Sequence, residues 1–301
     1  MSSTGPGMSR VLRSRMRHGQ MARRLIDRFS IGFFMLTVLI GVAGLGTLLI
    51  DVAMDAAPWL NWNFLSTYAS RHPEQAGILA ALAGSIWIMG MTSLFTIPVG
   101  VGTAIYLEEF ASDNWVKRIV QLNVSNLAGV PSIIYGLLGL TVFVFFFAMG
   151  RSVVAGALTM SLLILPIVII ASQEAIRAVP KGYRDAAFAL GATRWQVVKG
   201  VVIPQSVPGM MSGVILAMSR AIGESAPMLI ISSLVFLTFV PTDPGDRFTV
   251  LPLQIYTWVA QPQAGFRGIA AAGIIVLVIL LLVMNGLAIW IRSRQQKRAL
   301  E

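Results

Sequence analysis

The stretch Pro180-Lys181-Gly182-Tyr183-Arg184-Asp185-Ala186-Ala187-Phe188-Ala189-Leu190-Gly191-Ala192-Thr193-Arg194, running on to Val201-Val202-Ile203-Pro204, lies between two long apolar runs. Proline is favoured in the first turn of a helix, and Asp185 to Leu190 is good helix-forming sequence. Gly191 stops that helix and permits a tight turn. Thr193 supplies a hydroxyl able to cap a second helix, Arg194 to Val202, which the spacing predicts to end before Pro204. The stretch is therefore a helix–turn–helix on a loop, 173–206, with small residues Ala186, Ala187 and Gly191 at its knuckle. Small side chains at that point let the knuckle seat closely in a groove of another protein.

The flanking sequence explains why such a loop must project. Of 301 residues, 56% are hydrophobic and 12% charged. A soluble chain carries about twice that charge fraction. Crossing ~30 Å of hydrocarbon takes about 20 apolar helical residues. Six segments qualify, near 29–50, 78–105, 122–147, 153–172, 207–237 and 267–291, and the third and fifth carry polar or proline interruptions. The expected fold is an all-α polytopic membrane protein with six transmembrane helices. Its parts are a basic tail (1–28), a first span (29–50), a segment on the far side (51–77), a core (78–292) containing the loop, and a second basic tail (293–301).

Arginine and lysine set the orientation. Counting residues 1–28, the loops 106–121 and 173–206, and the end after 291, one side carries 18 of them; the other side has Arg71, Arg151, Arg247 and Arg267. Positive residues stay in the cytoplasm, so both termini are expected there. The same asymmetry accounts for the net charge of +10 without nucleic acid. The Arg-rich N-terminal tail reads either as a topology anchor or as a docking segment for anionic lipid or a partner. The run 29–50 exceeds a signal-peptide h-region, and no small-x-small site follows it. On the far side, Trp59, Trp62, Phe64 and Tyr68 suggest an interfacial aromatic belt. The proline-stiffened 238–266 reads either as a connector or as a contact for an external partner.

The fifth span contains Ser219-Arg220-Ala221-Ile222-Gly223-Glu224-Ser225-Ala226-Pro227. Ionisable groups at membrane depth cost on the order of 2.5–3.5 kcal/mol each on insertion scales, so they are functional candidates by default. Spaced i, i+4, Arg220 and Glu224 share a helical face. Pro227 cannot donate to the carbonyl of Gly223, so Gly223 and Pro227 are expected to distort the helix between the charges. A structural ion pair is the competing reading. Ser85, Ser132, Tyr135 and Thr159 read as helix–helix hydrogen bonds, Gly209-x-x-x-Gly213 as a close packing face, and Met210, Met211 and Met218 as bundle filler. Glu108 and Glu109 read first as solvated interfacial charges, and alternatively as contacts for the loop's basic residues or a partner. With no cysteine and only His18 and His72, thiolate and histidine metal sites have no support, and no paired carboxylates or nucleophile motif argue for an enzyme.

The loop resembles the EAA loop of ABC importer permeases: Asp185 stands in the acidic position, Ala186, Ala187 and Gly191 match, and Val201-Val202-Ile203-Pro204 closes the pattern. Leu127 to Leu137, Ile97 to Glu109, and Arg220 to Pro227 are similar to segments of the phosphate-specific group of those permeases. The resemblance covers about 78–292. It implies a type I ABC importer permease fold and one of two homologous permease subunits of a phosphate importer. It also implies three partners: a sister permease, a dimer of ATP-binding subunits docked on the loop, and an external phosphate-binding protein. ATP and Mg would be held by the ATPase, since the chain lacks a Gly-x4-Gly-Lys-Ser/Thr loop, and this chain would need no cofactor of its own. Arg220 would attract phosphate, and Glu224 would position Arg220 or accept a hydrogen bond from protonated phosphate. A permease for another oxyanion and a secondary transporter are the alternatives; the loop and the lack of an inverted repeat disfavour the latter.

Overall fold

The computed structural model describes Gly7–Ser232 and Leu237–Arg298, with side chains from Phe29 to Arg294. The expected end of the fifth span at 233–236 and most of both basic tails' side chains fall outside the described residues. Among those described, every regular element is helical. Two compact units divide the chain, residues 1–54 and 55–301. The first is one helix, α1 (Gly7–Ala56), whose apolar part Phe29–Ala56 is long enough to cross a membrane.

The second unit begins with short α2 (Trp62–Ser66) and holds α3 (Leu79–Ile105), α4 (Trp115–Ala128), α5 (Ser132–Gly139), α6 (Val153–Arg177), α7 (Lys181–Ala189), α8 (Arg194–Val197), α9 (Ile203–Gly223), α10 (Ala226–Ile231), α11 (Leu251–Val259) and α12 (Gly265–Arg298). Its core is built where α3, α6 and α9 pack, through Ile88, Met160, Ile164, Val214 and Ala217, with Met228 of α10 and Phe248 closing one end. Gly209 and Gly213 lie against Ala175 and Ala171, so the small-residue face does bring α9 tightly onto α6.

Five helices are long and apolar enough to span a bilayer, and a sixth span results if the pair α4 and α5 is counted as one. That pair corrects the expected continuous span 122–147. It is bent by 106° between Ala128 and Ser132. Gly129-Val130-Pro131 explains it: Pro131 has no N–H and biases Val130 away from helical dihedrals. At the break the Leu127 carbonyl accepts from the Val130 N–H at 3.1 Å and from the Tyr135 hydroxyl of α5 at 2.7 Å, which ties the two halves together. From α5 the chain continues through a π-helical stretch, Leu140–Phe146.

A second correction concerns Pro204. The helix begun at Arg194 does not stop before it; Arg194–Gly223 runs unbroken. A π turn at Val198–Val202 comes just ahead, where Ile203 N–H bonds the carbonyl of Val198. The wider turn relieves the clash that a proline ring makes with the carbonyl four residues back. The loop's second helix and the fifth span are thus one rod.

The far-side segments are packed more closely than an aromatic belt and a plain connector require. Trp62 is exposed, but Phe64 is buried against Trp258, with ring centroids 5.9 Å apart. In the proline-rich segment, α11 buries Leu251, Leu253 and Trp258. Ser85 Oγ accepts from the Leu251 N–H at 2.8 Å, and the carbonyls of Asp246 and Pro244 each accept at 3.0 Å from the free N–H groups of Val153 and Val154 at the start of α6. Segment 238–266 therefore seals one end of the bundle.

Candidate functional site

The structure places the sequence-predicted residues in two groups at different levels of the second unit. The first is the Arg220–Glu224 pair. The expected helical face is only half realised, because the helix ends at Gly223. Arg220 occupies the last turn of α9, and Glu224 is the first extended residue after it, with ψ 114°. Pro227 sits in the first turn of α10, where a proline is tolerated, instead of kinking a continuous helix. The distortion expected at Gly223 and Pro227 is a full break.

At that break the guanidinium Nε of Arg220 meets Glu224 Oε1 at 3.3 Å. The arginine side chain is 58% exposed and the glutamate 18%. Its position at a helix C-terminus favours a cation. Glu224 lines a small cavity of about 10 Å³ with Ser85, Met89, Met160 and Met228. Gly136 of α5 supports the break from behind: a Cβ there would come within 2.9 Å of Pro227 Cα, so α5 and α10 approach at backbone distance. Arg151 closes the other end of α10, donating to Ile230 O at 3.1 Å.

Sequence reading missed a polar seam beside this pair. Ser219 Oγ contacts Asn285 Oδ1 of α12, and seven residues back Ser212 Oγ accepts from Arg292 at 2.8 Å. An asparagine inside the apolar run 274–291 was the available signal, since polar side chains in a span pair across helices. Ser85 and Tyr135 bridge elements as expected, whereas the Thr159 hydroxyl bonds within its own helix, to Ala155 O at 2.8 Å.

The second group is the loop. Pro180 precedes α7, Gly191 takes φ +82°, and Thr193 caps α8 in a reciprocal capping box with Gln196. Asp185, Ala186 and Gly191 are exposed; Ala187 is turned partly inward, against a cluster containing Ile176, Val179 and Val197. Tyr183, Phe188, Leu190 and Trp195 expose large apolar surface on the same loop, Leu190 at 89%. Such a patch on a polar loop marks a protein contact.

Glu108 and Glu109 are not solvated charges, which corrects the first reading; the alternative, contact with the loop's basic residues, is what the structure shows. Both are 13% exposed. Glu108 accepts from Arg177 at 2.7 and 3.0 Å and from Gln173 at 2.7 Å, and Glu109 accepts from Arg184 at 2.9 Å. The two glutamates and the two arginines, with Lys181, Asp185 and Phe188, line a cleft of about 460 Å³ between the end of α3 and α7.

Residues 96–297 match the family model described as "Binding-protein-dependent transport system inner membrane component". That is most of the chain, and the chain belongs to this family, the permease class of ABC importers. It is 32% identical over 290 residues to "Probable ABC transporter permease protein YqgI" of Bacillus subtilis, covering 92% of this chain and 99% of that one. It is 34% identical over 229 residues to "Phosphate transport system permease protein PstA 1" of Mycobacterium tuberculosis, covering 75% and 74%. Among solved structures, a bacterial alginate ABC transporter in complex with an alginate pentasaccharide-bound periplasmic protein superposes with TM-score 0.65 over 87% of this chain and 93% of that chain, at 17% identity. The fold is that of a type I ABC importer permease. The protein is a multi-pass component of a prokaryotic inner membrane.

Proposed function

We propose that this chain is a permease subunit of a phosphate importer of the PstA type. It forms half of the translocation path, with a PstC-like sister permease forming the other half. A PstB-like ATPase dimer docks on the loop 173–206, and a PstS-like binding protein delivers phosphate from outside. Both termini lie in the cytoplasm, on the side of the 18 basic residues.

The observation that carries this reading is the Arg220 guanidinium. It stands half-exposed at a helix break, held by one 3.3 Å contact to Glu224. A guanidinium keeps its charge and matches phosphate oxygens in bidentate fashion, and among the described residues most of its donors have no protein partner. Glu224, largely enclosed, holds the cation when the path is empty and accepts a hydrogen bond from protonated phosphate, which sulfate cannot offer. Release of the pair at a break costs no intrahelical hydrogen bond.

The loop supports the other half of the proposal. Asp185, Ala186 and Gly191 present a knuckle, and Tyr183, Leu190 and Trp195 surround it with apolar surface suited to a partner groove. The ATPase would supply ATP and Mg, and its closure would drive the permeases between inward- and outward-open forms.

The test is uptake of labelled phosphate at low concentration, with excess sulfate as competitor, in cells lacking this gene and any second copy of the system. Restoration of ATP-dependent, sulfate-insensitive uptake by the wild-type gene, but not by Arg220→Ala, is the expected result. Phosphate uptake that does not depend on the gene overturns the choice of substrate.

A further inference from the structure

The loop meets the rest of its unit at a place the coupling motif does not include, the π turn Tyr106–Phe110 at the end of α3. Both loop helices are attached to it. From α7, Arg184 donates to Glu109 at 2.9 Å. On α8, the ring of Trp195 lies 6.2 Å from that of Phe110, and the guanidinium carbon of Arg194 sits 5.7 Å over the same Phe110 ring. Arg184 also holds the end of α6, donating to Ile176 O at 2.9 Å and, just past the helix, to Val179 O at 3.1 Å. One guanidinium thus joins three elements, and it is only 19% exposed. The π turn makes this possible. It widens the backbone so that two consecutive carboxylates reach different partners, Glu108 to α6 and Glu109 to α7.

We infer that Glu109 and Phe110 are positioning residues for transport, tying the coupling loop to α3 so that loop movement reaches the wall behind Glu224. This inference rests on the ATPase-coupled importer reading above. The geometry gives two routes from loop to path. One is covalent, since α8 continues into α9 and Arg220. The other passes through Glu109 into α3, whose opposite end carries Ser85, Ile88 and Met89 beside Glu224 in the small cavity. If only the first route moved, Arg220 would shift while the enclosure around its partner stayed fixed. With both tied to the loop, the pair is opened or closed by the same displacement. Mostly buried, charge-assisted contacts with several bonds per group suit such a tie, whereas an exposed pair such as Arg177–Glu174, whose glutamate is 65% exposed, does not.

The experiment uses the full complex of both permeases and the ATPase in lipid vesicles, with the external binding protein loaded with phosphate. Two rates are read together: labelled phosphate uptake, and ATP hydrolysis with and without the loaded binding protein. Glu109→Ala and Phe110→Ala are expected to retain the ATPase on purification and keep basal hydrolysis. Their stimulation by the binding protein should fall at least fivefold, and ATP consumed per phosphate should rise by a similar factor. Glu109→Asp should recover part of the stimulation, and Glu174→Ala should match the wild type. Wild-type stimulation in Glu109→Ala, or an equal loss in Glu174→Ala, overturns the tie. Failure of the phosphate reading has another signature: the wild-type complex itself then takes up no phosphate.

Discussion

Two clusters of opposite charge occupy this permease, and they are built on contrary principles. At the α9–α10 break, Arg220 touches Glu224 once, at 3.3 Å, and most of the guanidinium is exposed. Where the loop meets α3, Glu108 and Glu109 are enclosed, each arginine makes several bonds, and the carbonyls of Ile176 and Val179 accept as well. A cation with most donors unfilled is available to a ligand; one that holds several partners at once serves as a joint. On the proposed function, the difference separates the pair that would meet cargo from the contacts that would carry movement.

The sharpest way to break that contrast is at Arg220. Arg220→Ala and Arg220→Lys should assemble normally and keep thermal stability, yet lose uptake by about 100-fold, the upper range for one charge-assisted contact made during passage. Normal uptake in both variants would make the pair structural. Arg184→Ala should do the reverse to stability. It leaves the mostly buried Glu109 without its cation and takes one donor from each of the Ile176 and Val179 carbonyls, so detergent-solubilised complex should lose about 1–3 kcal/mol, read from thermal unfolding. Gly191→Val forces a β-branched residue to φ +82°, a strain of roughly 1–3 kcal/mol, and should detach the ATPase in co-purification. Tyr135→Phe removes the side-chain bond to the Leu127 carbonyl and should lower stability by about 1 kcal/mol while uptake persists.

The smallest effect lies outside the membrane. Backbone N–H groups of Asp243 and Thr242 donate to Asp246 and hold its carboxyl below the usual value of 3.8. A carboxyl depressed in the folded state stabilises above its unfolded value and loses that contribution as pH falls through the lower one. Hydrogen exchange in 241–246 should therefore rise below about pH 4 by more than intrinsic chemistry predicts. Asp246→Asn should remove this pH dependence.

Much of the loop was legible because its signals are local. Pro180 opens a helix, Gly191 needs a positive φ, and Thr193 caps, all within a few residues. The Gly209/Gly213 face was legible for the same reason. The bend at Gly129-Val130-Pro131 was written in turn residues, but a 20-residue apolar average passes over it. Pro204 and Pro227 were misread in opposite directions. The first is absorbed by a π turn, which no residue type announces, and the second stands just past a break already made at Glu224. Pairings such as Glu109–Arg184 and Ser219–Asn285 join residues 75 and 66 positions apart, and nothing in the spacing of one predicts the other.

The unbroken helix from Arg194 to Gly223 is a lever. Arg220 lies 26 residues beyond Arg194, roughly 39 Å at 1.5 Å per residue. A tilt of about 5° pivoting at the loop displaces the guanidinium by roughly 3 Å on that lever, about one hydrogen-bond length. If the proposed function holds, a docked partner would need only to rock the knuckle by a few degrees to move Arg220 from holding an anion to releasing it.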